Sequence, residues 1–327
     1  MTSETLLRTP ATLTRQPLQV RSKRSASDCV VELELVHPDG AALPEWQPGA
    51  HVELHLPSGL SRQYSLCGSP DDTSSYRLGI LNDPTSRGGS SYVHAGLAEE
   101  DILEVSGPRN NFELVDSPEY HFLAAGIGVT PMMPMLEEAE RRGARWRLTF
   151  MGRARSSMAF WQELADKYPG RIDIRPDDEF GFPDLGALLG NPRDGVKIYA
   201  CGPEGLLRAL EGICAGWPAG TLHLERFAPK DPAAANAPAI SFRVKLALSG
   251  MELEVPAGRS IVEVAEEAGA PVIFSCMEGT CGTCETRILC GEADHRDSIL
   301  SDEEKAANEM MMICVSRSKS DVLELEL

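Results

Sequence analysis

SCMEGTCGTCETRILCG, residues 275–291, with the later run MMMICVSRS, residues 310–318, decides the fold of the C-terminal part of this chain. Cys276, Cys281 and Cys284 stand in the spacing C-x4-C-x2-C, and Cys314 lies further on in the apolar run. That is the plant-type ferredoxin arrangement for a [2Fe–2S] cluster. A tight loop that aims several thiolates at one small inorganic core needs backbone freedom and close amide approach, and Gly279 and Gly282 supply both. The run holding Cys314 reads as a strand that returns the last ligand from the domain core. A zinc site pairs its cysteines as C-x2-C twice, and the second pair is missing. Cys290 competes with Cys314 for the fourth position. It follows Cys284 closely, on a strand leaving the loop, so Cys314 is preferred. The metal ligands expected are therefore Cys276, Cys281, Cys284 and Cys314.

Outward from this loop, SFRVKLALSG and MELEVPAG read as a hairpin and SIVEVAEEAG as a short helix. APKDPAAANAPAI, just before, is rich in Pro and Ala without apolar period and reads as a linker. Upstream, strands alternate with helices: YHFLAAGIGVTP runs into MMPMLEEAERRG, RWRLTFMGR into SMAFWQELADKY, and VKIYACGP into PEGLLRALEGICAG. Such alternation implies a parallel α/β sheet. The first third, with VVELELV, HVELHLP and YRLGIL, alternates apolar and polar positions over short runs, as in a barrel or sandwich.

Bulk properties bound the function. The chain has 327 residues and a formal net charge of −18. That length fits two or three domains. The charge argues against nucleic acid and anionic membrane as partners. No apolar run is long enough to span a bilayer and no secretory signal is visible, so the cytoplasm is the expected location. Nine cysteines, five of them in the last fifth of the chain, point to a metal or redox site rather than a disulfide scaffold.

Two further sites can be read. RQYS, residues 62–65, is followed by SRGGSSYVH, residues 86–94. A helix opened by glycines offers N–H groups and a positive dipole end to a phosphate. Arg62 can neutralise that phosphate, the Tyr64 ring can face a flat heterocycle, and Ser65 can reach a ring nitrogen. The pair favours a flavin. AAGIGVTP, residues 124–131, lacks the full dinucleotide fingerprint but sets Gly126 and Gly128 where a pyrophosphate meets a helix N-terminus, with Thr130 as a cap. ACGPEG, residues 200–205, places Cys201 at the C-terminal edge of the sheet, where ligands bind in open α/β folds.

With the three sites in this order, the chain resembles the phthalate dioxygenase reductase family, the class IA oxygenase reductases, which include the reductases of vanillate O-demethylase and carnitine monooxygenase. RQYSL, SRGGSSYVH, AAGIGVTP, CGPEGL, HLERF, GTCGTCETRILCGEADHRD and MMICVSRS carry the resemblance. It implies a multi-domain α+β architecture: an antiparallel flavin-binding β-barrel over 1–115, a parallel α/β nucleotide-binding domain of ferredoxin-reductase type over 116–228, a linker at 229–240 and a β-grasp ferredoxin domain over 241–327. It also implies FMN, NADH and a [2Fe–2S] cluster as cofactors. FMN would lie on Arg62, Tyr64, Ser65, Gly89 and Ser90. The pyridine nucleotide would lie on Gly126, Gly128, Thr130, Pro131, Cys201, Gly202 and Pro203, with Arg153 nearby. HLERF implies that Phe227 covers the flavin ring, with Glu225 beside it, so Ser65, Cys201, Glu225 and Phe227 would serve the hydride step.

Relatives often carry Lys or Arg where Leu81 stands, a larger residue at Ser91 and Glu at Cys290. The implied function is a reductase component moving electrons from NADH through FMN and the cluster to a terminal Rieske-type oxygenase. The implied chain is a monomer. Residues 241–327 hold 17 Asp and Glu against 8 Lys and Arg, and this acidic face would dock the oxygenase. A flavin monooxygenase with its own substrate, and a redox sensor using the cluster as a switch, are the competing readings.

Overall fold

The structure, a computed structural model, describes residues 15–84, 88–231 and 240–327. Most of the expected linker, residues 232–239, lies outside them, as do the first 14 residues and Thr85, Ser86 and Arg87. The chain divides into two compact units. One runs to Leu114 and adds Thr130–Glu137; the other comprises Val115–Val129 and Glu138–Leu327.

The first unit is a six-stranded antiparallel sheet. Its strands are β1 (Arg15–Ser27), β2 (Val30–Val36), β3 (Ala50–His55), β4 (Ser61–Ser65), β5 (Tyr76–Leu81) and β6 (Ile102–Asn110), in the order β4-β3-β6-β1-β2-β5. Alternation makes the fold. Leu33 and Leu35 of VVELELV point inward with Val52, Leu54, Leu78 and Ile80, all fully buried. Leu66, just past β4, forms an isolated bridge to Leu78 of β5. The two edges of the sheet therefore meet, and the structure is a closed barrel. Closure removes the unpaired edges an open sheet would expose.

The second unit holds two sheets. The parallel one has β7 (Glu119–Ala125), β8 (Arg145–Gly152), β9 (Ile172–Pro176), β10 (Val196–Cys201) and β11 (Leu222–Glu225) in the order β11-β10-β7-β8-β9. YHFLAA and VKIYAC are buried almost throughout, as parallel strands covered on both faces must be. Two short helices, Asp177–Phe180 and Leu185–Leu189, lie between β9 and β10. Neither is long enough to show a helical period in the sequence.

The second sheet holds β12 (Phe242–Leu246), β13 (Met251–Val255), β14 (Glu285–Cys290), β16 (Met310–Met312) and β18 (Val322–Leu325), in the order β13-β12-β18-β14-β16. The hairpin β12–β13 is antiparallel, while β18 lies parallel to β12. The helix Ile261–Glu267 buries Ile261, Val262 and Ala265 in the same core. A capping box between Ser260 and Glu263 starts it. A hairpin, a helix on one face and a parallel return strand make the β-grasp. A two-stranded ribbon, β15 (Ala293–Asp294) with β17 (Arg317–Ser318), completes this part.

Candidate functional site

The cluster loop lies between the helix Ile261–Glu267 and β14. Around its cysteines three residues adopt left-handed backbone: Met277 at φ 56°, Gly279 at 67° and Gly282 at 72°. Glycine accepts this conformation freely, whereas Met277 is held there at a cost. The fold brings four thiols together. The Cys281 thiol is within hydrogen-bonding reach of that of Cys276, and the Cys314 thiol of those of Cys276 and Cys284. The backbone points in as well. The Glu278 N–H donates to Cys276 Sγ at 3.3 Å, and the Gly279 backbone bonds the Cys314 sulfur. Thr283 Oγ1 lies 3.1 Å from Cys281 Sγ.

Cys290, by contrast, is exposed at the far end of β14. The strand expected through MMMICVSRS stops at Met312, and Cys314 sits on the turn beyond it. The run is apolar because it is buried, while the turn is what delivers the thiol to the loop.

This donor set fits a diiron core. Among the described residues no three His, Cys, Asp or Glu side chains are gathered tightly enough to hold a single metal ion. A [2Fe–2S] core instead takes four thiolates, two per iron, and the contacts link all four thiols, Cys276 with Cys281 and Cys314 with both Cys276 and Cys284. Sequence reasoning missed Asp297. It is buried beneath the loop, its Cα 3.1 Å from where a side chain at Gly279 would begin. Its carboxylate accepts from the Leu300 N–H at 2.8 Å, and the Ser298 N–H donates to the Gly279 carbonyl at 2.9 Å. No spacing signal could have revealed it.

At the C-terminal edge of the parallel sheet, Ala124, Cys201 and Glu225 stand side by side on β7, β10 and β11. β7 runs into a 3₁₀ turn, Gly126–Val129, before the helix Met132–Arg141. The two loops press backbone on backbone. A Cβ at Gly128 would lie 2.2 Å from the Cys201 carbonyl oxygen, and one at Gly202 would lie 2.8 Å from Ala125 Cβ. Pro203 caps the helix Glu204–Cys214 from an extended conformation.

Burial pushes the Cys201 thiol well above its usual range, and the Glu225 charge adds to this. Burial also raises the Glu225 carboxyl to about 8. Its Oε2 is inaccessible and has no hydrogen-bond partner among the described residues. Phe227 is exposed two positions on, and Arg153 is exposed just past the end of β8. Thr130 is buried, and Pro131 follows it.

On the barrel, Arg62 and Tyr64 lie on β4, and Ser65 ends it, buried. The helix Gly89–Ala95 begins after Gly88, at φ 98°. The Arg62 side chain crosses its start, because a Cβ at Gly89 would meet Arg62 Cγ at 2.7 Å and Nε at 2.9 Å. Ser90 is buried and its hydroxyl accepts the Asp83 N–H at 3.2 Å. Burial raises the Tyr64 hydroxyl to about 12, so it remains protonated. A cation laid across an open helix start fits a phosphate monoester.

Residues 244–319 match the family model of the 2Fe-2S iron-sulfur cluster binding domain. The phthalate dioxygenase reductase of Burkholderia cepacia is 37% identical over 95% of this chain and 97% of its own length. The chain belongs to the phthalate dioxygenase reductase family. A solved phthalate dioxygenase reductase, described as a modular structure for electron transfer from pyridine nucleotides to [2Fe–2S], aligns with a TM-score of 0.72 at 36% identity, covering 96% of this chain and 98% of that one. An intact type IV self-sufficient cytochrome P450 monooxygenase aligns at 0.87 and 38% identity, but this chain spans only 41% of it. This phthalate dioxygenase reductase family member is thus an electron-transferring oxidoreductase with a C-terminal [2Fe–2S] ferredoxin domain. Among its described residues no helix is long and apolar enough to cross a membrane.

Proposed function

We propose that the chain takes hydride from NADH, holds FMN on the barrel and releases single electrons through the cluster to the terminal component of an oxygenase or demethylase. The flavin supplies, when bound, the exchange between two-electron and one-electron steps, and the cluster a one-electron relay. The protein supplies position. Arg62 across Gly89, with Ser90, holds the FMN phosphate, while Tyr64 and Ser65 line the ring. Gly126, Gly128, Gly202 and Pro203 keep two main-chain turns close enough to cradle a pyrophosphate, with Thr130 and Pro131 following in the chain and Arg153 at the next strand end. Glu225 Oε2 lacks a partner and can accept from a carboxamide N–H, beside the neutral Cys201 thiol. The exposed Phe227 ring can stack on a flat heterocycle.

The observation that carries this reading is the convergence of Cys276, Cys281, Cys284 and Cys314. The test is anaerobic stopped-flow reduction of Cys314→Ser. NADH should still bleach the flavin, while cytochrome c reduction and cluster absorbance are lost, and Cys290→Ser should keep both. A Cys314→Ser protein that retains its cluster would refute the ligand set.

The same reading places the chain in the cytoplasm as a monomer. Its cysteines form no disulfide, in keeping with a reducing compartment. The acidic C-terminal part, net −9 by the counts above, would face a basic patch on the acceptor. The similarity to a phthalate dioxygenase reductase favours a Rieske-type acceptor. The alignment with the P450 monooxygenase supports a second reading, in which the acceptor is a haem protein. Reconstitution with each class of acceptor separates the two.

A further inference from the structure

The opposite edge of the parallel sheet holds a cavity of about 540 Å³ that has no part in the scheme above. Its wall includes Glu119 and His121 of β7, Arg145 and Arg147 of β8, and Asn191 and Arg193 from the loop after the helix Leu185–Leu189. We propose that this cavity binds a small polyvalent oxyanion, either a phosphate compound or a dicarboxylate.

Charge is the first argument. Three guanidinium groups face one carboxylate, in a chain whose net charge is −18. The imidazole adds no charge, since burial, followed by Arg147, pushes His121 down to about 4. Excess positive charge is thus concentrated in one concavity of an acidic protein, where low-dielectric walls focus the field.

Pre-organisation is the second argument. Arg147 is fixed by the Leu188 carbonyl at the end of the short helix and lies 3.3 Å from His121 Nδ1. Arg145 bonds Glu119 at 2.8 Å, and Arg193 bonds the same carboxylate from the other side. His121 Nε2 lies 3.2 Å from Glu119, so the one acid in the wall is held by three neighbours. A guanidinium carries five N–H donors in a rigid fork. These contacts use only part of that capacity, and the remainder suits bidentate recognition of oxyanions.

Location is the third argument. β7 carries Glu119 and His121 at one end and reaches Ala125, beside the nucleotide loops, at the other. At about 3.3 Å per residue the two ends lie roughly 20 Å apart. The cavity therefore differs from the nucleotide site, and its ligand should not compete with NADH. The inference does not depend on the electron-transfer reading.

The test is calorimetric titration of the holoprotein, saturated with NAD⁺ and held at constant ionic strength, with inorganic pyrophosphate and separately with benzene-1,2-dicarboxylate. One probe should bind one to one with Kd below about 1 mM. Arg193→Ala and Arg145→Ala should each weaken it by about tenfold or more, as expected for losing a charged hydrogen bond. The NADH KM should stay unchanged in both variants. Which probe binds assigns the ligand class. No binding of either probe near 10 mM, well above any useful site affinity, overturns the proposal. So does binding that both variants leave intact.

Discussion

Replacing Gly128 by alanine adds one methyl group to the tightest point of the nucleotide edge. That methyl would lie 2.2 Å from the Cys201 carbonyl oxygen, 2.5 Å from its carbon and 3.0 Å from Gly202 N. All three are main-chain atoms, so no rotamer change relieves the clash. The turns after β7 and β10 must separate by about 1 Å to restore ordinary contact, and overpacking of this kind costs about 1–3 kcal/mol. Gly128 does not adopt a left-handed backbone, so alanine carries no backbone penalty there and the whole effect is steric. Gly126 offers the opposite case. Its φ is 56°, but a Cβ there would meet nothing within 4 Å.

Gly128→Ala should therefore lower the NADH-dependent rate of flavin reduction by about 10²-fold, the usual consequence of misplacing a bound reactant by about 1 Å. Gly126→Asn should be mild, because asparagine tolerates the left-handed region. The assay is anaerobic stopped flow at the flavin band, with dithionite reduction of the cluster to show that the rest of the protein is intact. A Gly128→Ala enzyme with kcat and KM within about twofold of the parent would refute the claim that this backbone contact shapes the site.

Three other perturbations probe the remaining parts. Glu225, held protonated up to about pH 8 by burial, gives stability that is full below about pH 4, the ordinary carboxyl range. This stability declines as pH rises through 8, by on the order of 4 kcal/mol. Glu225→Gln should flatten that decline in chemical denaturation followed from pH 5 to 9. Arg62→Ala removes the cation lying across Gly89 and should raise the FMN Kd by about 10- to 100-fold, read by flavin fluorescence on dilution. Raising salt from 50 to 500 mM should slow electron delivery to the acceptor several-fold while leaving flavin reduction by NADH nearly unchanged, since a Debye length of about 10 Å at 0.1 M shortens further. Equal effects on both steps would remove the case for acidic docking.

Local information was legible in the sequence, and non-local information was not. Alternation in VVELELV and the apolar runs YHFLAA and VKIYAC mark strands, because burial periodicity is a short-range property. The C-x4-C-x2-C spacing is likewise confined to one loop. Nothing in the chain order places Cys201 next to Glu225, since that row exists only once β10 and β11 pair in parallel register. Asp297 beneath Gly279 depends on a turn that follows another strand. The bridge from Leu66 to Leu78 closes the barrel through two residues with no distinguishing feature except their apolar character. Met277 gives no warning of its left-handed backbone, because methionine has no preference for it. The arginine cavity was missed for the same reason: Arg145, Arg147 and Arg193 come together only through the sheet and the loop after a helix too short to be read.

The nucleotide edge and the cluster loop share a design in which main-chain atoms carry the geometry. Gly128 and Gly202 set a backbone-to-backbone distance, and the amides around Cys276 and Cys314 point at sulfur. Such contacts constrain only glycines, thiols and turn conformations, so most surface side chains can change without disturbing them. A relative can therefore share only 37% identity across 95% of the chain and still keep such a frame. The acidic C-terminal part and the arginine-lined cavity are both built from side chains of that replaceable kind. It follows that exchanging surface charges on residues 241–327 should redirect electrons between acceptors without altering NADH oxidation, whereas no exchange at Gly128 or Cys314 should leave the relay intact.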